Sequence, residues 1–252
     1  MNTATGGGVR LRGAVAMWSG PRNISTAMMR AWENRDDCVV WDEPLYAYYL
    51  ARTGIDHPGA GDIIDAGDTD WARVVARCTG PVPGGRRIHF QKHMTHHMLE
   101  EVDRDWLARV NSFFLIRDPR EVIASYARVR EQVTVEDVGI PQQASLFDHV
   151  TRLRGSAPPV VDARDVLCDP PGLLRALCAA LDVPFSERML HWPAGPRDSD
   201  GVWARYWYDS VERSTGFAPY TPKPVDLAPD LAPLADACMD DYRRLHTLRL
   251  TA

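Results

Sequence analysis

The sequence predicts an α/β fold in which a central parallel sheet is flanked by helices. Two patterns and one number carry that prediction. Short apolar runs of strand length alternate with helix-periodic segments along most of the chain. Several runs stop at a turn or a helix cap, as in Ser19-Gly20-Pro21 and Arg117-Asp118-Pro119. The chain has 252 residues. That is enough for one core burying about three-quarters of the unfolded surface.

The elements follow in order. Ala14 to Trp18 is a continuous apolar run and predicts a buried first strand. Ser19-Gly20-Pro21 ends it, and apolar positions at 24, 27, 28, 31 and 32 predict a helix from Ile24 to Trp32. Cys38 to Trp41 predicts a second strand. It ends at Asp42-Glu43-Pro44, before a helix over Leu45 to Leu50 with Pro44 at its first position and Asp42 or Glu43 as cap. Residues 53–68, rich in Gly, Asp and Pro, predict a loop; Asp70 to Cys78 predicts a helix and 81–85 a turn. A third strand is expected at Arg87 to Gln91, with Lys92 and His93 just beyond it, then a helix over 96–109. Asn111 to Ile116 is the clearest strand. Asp118 as cap, Pro119 first and Glu121 third predict a helix to about 130. Further helices are expected at 141–153, 170–182 and 230–248, with a fifth strand at Pro159 to Ala163. Residues 191–200 predict a loop, and Gly201 to Glu212 an aromatic-rich helix. Residues 1–12 predict a disordered lead-in. Residues 13–252 predict a single domain without internal repeat or long linker.

Composition narrows the function classes. Hydrophobic content of 45% and charged content of 25% suit a soluble globular protein. A net charge of −5 provides no basic field for nucleic acid, so any anion site must be local. The five cysteines, Cys38, Cys78, Cys168, Cys178 and Cys238, are scattered. They predict a reducing, cytoplasmic setting and argue against a disulfide frame or structural zinc. The first eight residues lack the apolar segment of a signal peptide, and no apolar run approaches membrane-spanning length. No membrane or nucleic-acid partner is expected, and nothing speaks to oligomeric state.

Two stretches carry chemistry. A strand, a tight loop and a helix N-terminus at 14–26 would gather unpaired N–H groups and the positive end of a helix dipole around an anion. Arg22 adds a charge, and Ser25 and Thr26 add hydroxyls. The simpler alternative is an ordinary turn with Arg22 in solvent. The Walker spacing and its Lys are absent, which fits a loop holding one terminal phosphate better than one splitting a γ-phosphate beside magnesium. Arg117 and Ser125 stand eight apart, the first at a strand end and the second two turns into a helix. Strand ends line the crevice of an open parallel sheet, so a second anion site beside the first is expected. The alternative there is a surface Arg and a packed Ser.

Together these stretches resemble the sulfotransferase family over residues 13–130. Ser19-Gly20-Pro21-Arg22-Asn23-Ile24-Ser25-Thr26 resembles that family's 5′-phosphosulfate loop. Arg117 to Ser125 resembles its 3′-phosphate motif, in which an Arg and a Ser are also eight apart. The resemblance implies a P-loop-like three-layer fold and 3′-phosphoadenosine-5′-phosphosulfate as donor, leaving adenosine 3′,5′-bisphosphate. It implies transfer of a sulfuryl group to a hydroxyl or amine of a small-molecule acceptor. Gly20 to Thr26 would hold the 5′-phosphate end, and Arg117 and Ser125 the 3′-phosphate. The family's C-terminal basic loop is similar in character to Arg213-Ser214-Thr215-Gly216. Arg22 stands where the best-known cytosolic branch has Lys. The likeness is therefore to a bacterial-type branch, and phenol acceptors do not carry over.

The base is open between two residues. Glu43 follows the second strand, where several sulfotransferase branches place a Glu; its alternative role is a helix-dipole carboxylate. His93 follows Lys92, similar to the Lys-x-His of the cytosolic branch at a different spacing; its alternative is a structural histidine. Arg22 and Lys92 would stabilise the leaving phosphate. The acceptor would lie among 45–68, 130–145 and 191–210, whose aromatics Tyr46, Tyr48, Tyr49, Phe147, Trp203 and Trp207 suggest a partly apolar molecule. His93, His96 and His97 lack a nearby carboxylate or Cys at ligand spacing, so no metal is expected. An ATP-dependent small-molecule kinase and a non-catalytic nucleotide-binding protein are the rival functions.

Overall fold

A computed structural model describes residues 13–128, 132–222, 225 and 227–252. The expected lead-in at 1–12 lies outside them. Five parallel strands form one sheet in the order β2-β3-β1-β4-β5: β1 Gly13–Ser19, β2 Cys38–Asp42, β3 Ile88–Met94, β4 Asn111–Ile116 and β5 Val160–Asp162. All pairings are parallel, with Asp42 opposite Lys92 and Ser19 opposite both Met94 and Leu115. The carboxyl ends of β1 to β4 therefore form one edge.

Alternation along β1 sorts the core onto two faces. Val15 and Met17 point to the face covered by α1 (Ser25–Glu33), α2 (Tyr46–Thr53) and, later in the chain, Leu173, Leu174 and Leu177. Ala14, Ala16 and Trp18 point the other way, toward Val74, Val75, Trp106, Leu146 and Val150. Between α2 and β3 run α3 (Ala60–Ala66) and α4 (Trp71–Cys78), the latter capped by Asp70. After β4 come α5 (Pro119–Tyr126), α6 (Val135–Val138) and α7 (Ile140–Arg154). After β5 come α8 (Ala163–Cys168), α9 (Pro170–Ala180), the single turns α10 (Ala204–Trp207) and α11 (Asp209–Glu212), and α12 (Ala232–Thr247).

Local departures from expectation have physical causes. The third strand runs on to Met94, which puts Lys92 and His93 inside it. Residues 96–109 form two 3₁₀ turns, Thr95–His97 and Asp105–Arg109, instead of a helix. The Asp103 carboxylate accepts from the Asp105 N–H, and this local turn competes with a continuous helix. Residues 53–68 contain α3, opened by Gly59 at φ +73°. Pro44 is not the first residue of α2, whose N-cap is Leu45, and neither Asp42 nor Glu43 caps it. Asp118 caps α5 as expected, but the helix ends at Tyr126, and part of the expected extension, 129–131, lies outside the described residues. The aromatic stretch 201–212 folds as α10 and α11 and not as one helix.

Candidate active site

The loop after β1 delivers Pro21 to Thr26 to a cavity of about 390 Å³ at the carboxyl edge. Gly20 does not line it. A Cβ there would lie 2.8 Å from the Val138 carbonyl, so α6 packs directly on the loop backbone. Arg22 is held at φ +54°, a left-handed conformation uncommon for a side-chain-bearing residue. The Asn23 side chain locks the next step, donating to the Leu115 carbonyl at 3.1 Å and accepting the Ile24 N–H at 2.8 Å. The first intrahelical bond of α1 runs from the Met28 N–H to the Ile24 carbonyl. No side chain caps this helix and its first turn holds no acidic residue. The N–H groups of Ser25, Thr26 and Ala27 are thus the open end of the helix, and all three residues line the cavity.

Two guanidinium groups flank that end. Arg22 Nε donates to Ser125 Oγ at 3.1 Å, and Arg117 Nη1 donates to the Arg22 carbonyl at 2.8 Å. Arg117 also pairs with Glu121 at 2.9 Å. No carboxylate pairs with Arg22 among the described residues. Burial, and then the like charge of Arg117, lower the Arg22 pKa, the signature of a cation without compensation. Arg22, Arg117 and Ser125 all line the cavity.

Glu43, Lys92, Tyr46, His57 and His97 also line the cavity. Lys92 is 1% exposed, and its three ammonium protons have three acceptors: Asp42 Oδ1 at 2.8 Å, Glu43 Oε1 at 2.6 Å and the Tyr208 hydroxyl at 2.7 Å. The Tyr208 hydroxyl donates in turn to Asp42 Oδ2 at 2.6 Å and accepts from Trp203 Nε1 at 3.2 Å. Burial opposes the Lys92 charge, but Asp42 and Glu43 outweigh it and hold the pKa well above its ordinary value. Burial pushes the Glu43 carboxyl up to about 7; Lys92 pulls it down and the Asp42 charge pushes it up. The Glu43 backbone sits at φ +40°, fixed by its N–H donating to the Lys92 carbonyl at 2.9 Å.

Two expected roles need correction. His93 belongs to β3 and lies on the opposite face from Lys92. It is 1% exposed, stacks on Trp18 at 4.3 Å, shares a hydrogen bond with Gln91 at 3.2 Å and does not line the cavity. Burial drives its pKa down to about 3, so it is a neutral core ring out of reach of the site. Lys92 lines the cavity, yet its donors are saturated by protein groups, so it grips Glu43 and Asp42 and presents no open donor to a phosphate.

The C-terminal loop divides. Ser214 and Gly216 line the cavity, while Arg213 and Thr215 do not. Arg213 is largely exposed and pairs with Asp209 at 3.2 Å. Of the expected acceptor aromatics, Tyr46 and Trp207 reach the cavity, whereas Tyr48, Phe147 and Trp203 are core. Sequence reasoning missed Asp42, His57 and Tyr208; Tyr208 meets Asp42 across 166 residues, and no local pattern marks such a contact. Among the described residues no group of three or more His, Cys, Asp or Glu side chains could hold a metal ion. None of their helices is long and apolar enough to cross a membrane.

The fold and cavity define a class: an open parallel α/β sheet with its pocket at the carboxyl edge, beneath an uncapped helix N-terminus after the first-in-sequence strand. The chain belongs to the sulfotransferase family, whose domain model matches residues 14–247. Among solved structures, the sulfotransferase domain from the curacin biosynthetic pathway is similar, with a TM-score of 0.52 and 15% identity, over 96% of this chain and all of that one. A sulfotransferase from Alicyclobacillus acidocaldarius is similar with a TM-score of 0.51 and 14% identity, over 96% of this chain and 97% of the other. At those identities the likeness is one of fold. Branched-chain-amino-acid aminotransferase-like proteins 2 and 1 of Arabidopsis thaliana are 34% and 35% identical over 201 residues, 80% of this chain. The matched region is 35% and 36% of their lengths, so the chain spans about a third of these curated relatives.

Proposed function

We propose that the protein transfers a sulfuryl group from 3′-phosphoadenosine-5′-phosphosulfate to a hydroxyl of a small-molecule acceptor. One observation carries the proposal: Arg22 has no carboxylate partner among the described residues, and it stands with Arg117 beside the open N-terminus of α1 in one cavity. That arrangement favours a doubly anionic ligand. The 5′-phosphosulfate would meet the N–H groups of the Arg22 loop and the first turn of α1. The 3′-phosphate would meet Arg117 and Ser125. Ser214 and Gly216 would cover the nucleotide.

The chemistry is a single displacement. The acceptor oxygen attacks sulfur, its O–H proton passes to Glu43, and the bond from sulfur to the bridging 5′-phosphate oxygen breaks. Arg22 stabilises the charge left on that oxygen. A carboxyl titrating near 7 is matched to taking a proton at neutral pH. Lys92 holds that carboxylate in place. No step requires a metal, since the leaving charge meets guanidinium and backbone N–H donors.

Incubation with sulfur-labelled donor and a panel of alcohols and amines, with mass detection of products, tests the proposal. Transfer to an acceptor supports it. Magnesium-dependent phosphorylation by ATP would identify the kinase alternative, and bisphosphate binding without turnover on any acceptor would identify the non-catalytic one.

A further inference from the structure

The buried cluster around Lys92 contains two groups that the transfer reaction does not use directly. Asp42 ends β2, is 3% exposed and does not line the cavity. Its Oδ1 accepts from Lys92, and its Oδ2 accepts from Tyr208 at 2.6 Å and from the Gly201 N–H at 3.4 Å. Tyr208 is 3% exposed and comes from the segment between α10 and α11, which reaches back across the sheet edge. The chain just before α10 is anchored on α1 by Asp200, whose carboxylate takes both ends of the Arg30 guanidinium at 2.6 and 2.7 Å.

The charge count gives Asp42 a task. Lys92 with Glu43 alone would be a closed ion pair, and a carboxylate in such a pair is a poor proton acceptor. With Asp42 present, one ammonium is shared between two carboxylates, and Asp42 places a like charge beside Glu43. Tyr208 occupies the second oxygen of Asp42, leaving only one for Lys92. The ammonium is therefore held between the two carboxylates and not drawn wholly onto Asp42. Among the described residues, His97, with Nδ1 at 3.9 Å from Oε2, and Tyr46 from α2 also face Glu43. His97 is neutral, because burial, then His96 and Lys92, hold its pKa well below the ordinary value. Burial and the Glu43 charge keep the Tyr46 phenol protonated. Neither competes with Asp42 as a charge.

We propose that Asp42 and Tyr208 are positioning residues, which divide the Lys92 ammonium between two carboxylates and so keep Glu43 able to take and release a proton. The proposal rests on Glu43 being the base, and its test has a readout independent of turnover. The measurement is the side-chain carboxyl ¹³C titration of Glu43 in the full chain, assigned by difference from Glu43→Gln. Asp42→Asn leaves Lys92 to Glu43 alone and should lower the Glu43 midpoint by about one pH unit or more. The alkaline-rising limb of turnover should move down with it. Tyr208→Phe frees the second oxygen of Asp42 to draw Lys92 away, and should shift the midpoint upward.

Opposite shifts in the two variants are the expected result, and a merely structural role for Asp42 and Tyr208 would not produce them. An unchanged midpoint in both overturns the proposal. If Asp42→Asn does not fold, Tyr208→Phe decides: an upward shift supports the proposal and an unmoved midpoint overturns it. Should Glu43→Gln turn over like the wild type, the assignment of the base falls. Opposite shifts would then still uphold Asp42 and Tyr208 as the groups that set this carboxyl's titration.

Discussion

Arg22 and Ser125, separated by 103 residues, are joined by a 3.1 Å bond from the guanidinium Nε to the hydroxyl oxygen. This bond fastens the loop after β1 to the last turn of α5, and the bond from Arg117 to the Arg22 carbonyl fastens it again at the helix entry. The two anion-binding stretches are therefore one linked structure. Ser125→Ala should weaken adenosine 5′-monophosphate as well as adenosine 3′,5′-bisphosphate, because the loop itself loosens. The loss of one hydrogen bond of this kind predicts about 2- to 10-fold, read by titration calorimetry with both nucleotides.

Glu43→Gln should lower turnover by about 10²- to 10⁴-fold while leaving donor affinity nearly unchanged, since only proton transfer is lost. The pH dependence has a definite sign. The carboxyl titrates at about 7 and acts when deprotonated, so wild-type turnover should rise with pH through that value and level off above it. A rate profile over pH 5.5–8.5 (roughly one and a half units either side of the midpoint) reads this limb. A flat profile across it would remove Glu43 from the mechanism.

His93→Ala should behave as a core mutation. The ring fills space between Trp18 and Trp106, at 4.3 and 5.9 Å between centroids. Its removal should cost about 2 kcal/mol or more of stability, by analogy with other large-to-small core changes. That corresponds to a drop of several degrees in Tm. Measured below the new Tm, kcat should stay within about threefold of wild type, far from the general-base penalty.

Much of this architecture was legible in the sequence because local chemistry specified it. Asp118-Pro119 fixed the entry to α5, and the apolar run at 111–116 fixed β4. The loop at 19–26 was legible because a strand, a turn and a helix lie adjacent in the chain. The part of β3 beyond Gln91 was not, because the polar run Gln91, Lys92 and His93 reads as the end of a strand. They are tolerated inside it because each has a partner: Gln91 donates to the Cys78 carbonyl, Lys92 to its three acceptors, and His93 shares a bond with Gln91. The same reason concealed Tyr208, whose aromatic ring resembles its neighbours in sequence and whose hydroxyl acts only through tertiary contacts. Arg213 looked like an anion ligand from its setting beside Ser214 and Gly216, but its side chain turns outward to Asp209.

Gly20→Ala should disturb the donor loop without touching a charged group. The added methyl would stand 2.8 Å from the Val138 carbonyl, and backbone there gives way only by moving α6 or the loop. Overpacking of this kind costs about 1–3 kcal/mol. Bisphosphate affinity should fall together with Tm, and a variant with wild-type values of both would show that the contact is slack.

The central claim is that Arg22, Arg117 and the open end of α1 form a site for a nucleotide carrying phosphate at both ends of its ribose. Titration calorimetry of adenosine 3′,5′-bisphosphate and adenosine 5′-monophosphate against the wild type and Arg117→Ala tests it most directly. The account predicts that the wild type prefers the bisphosphate. It also predicts that Arg117→Ala weakens both nucleotides by releasing the Arg22 carbonyl, and costs the bisphosphate about a further tenfold or more, the worth of one charge-assisted contact. Equal affinity of the wild type for the two nucleotides, or equal losses in the variant, would contradict it.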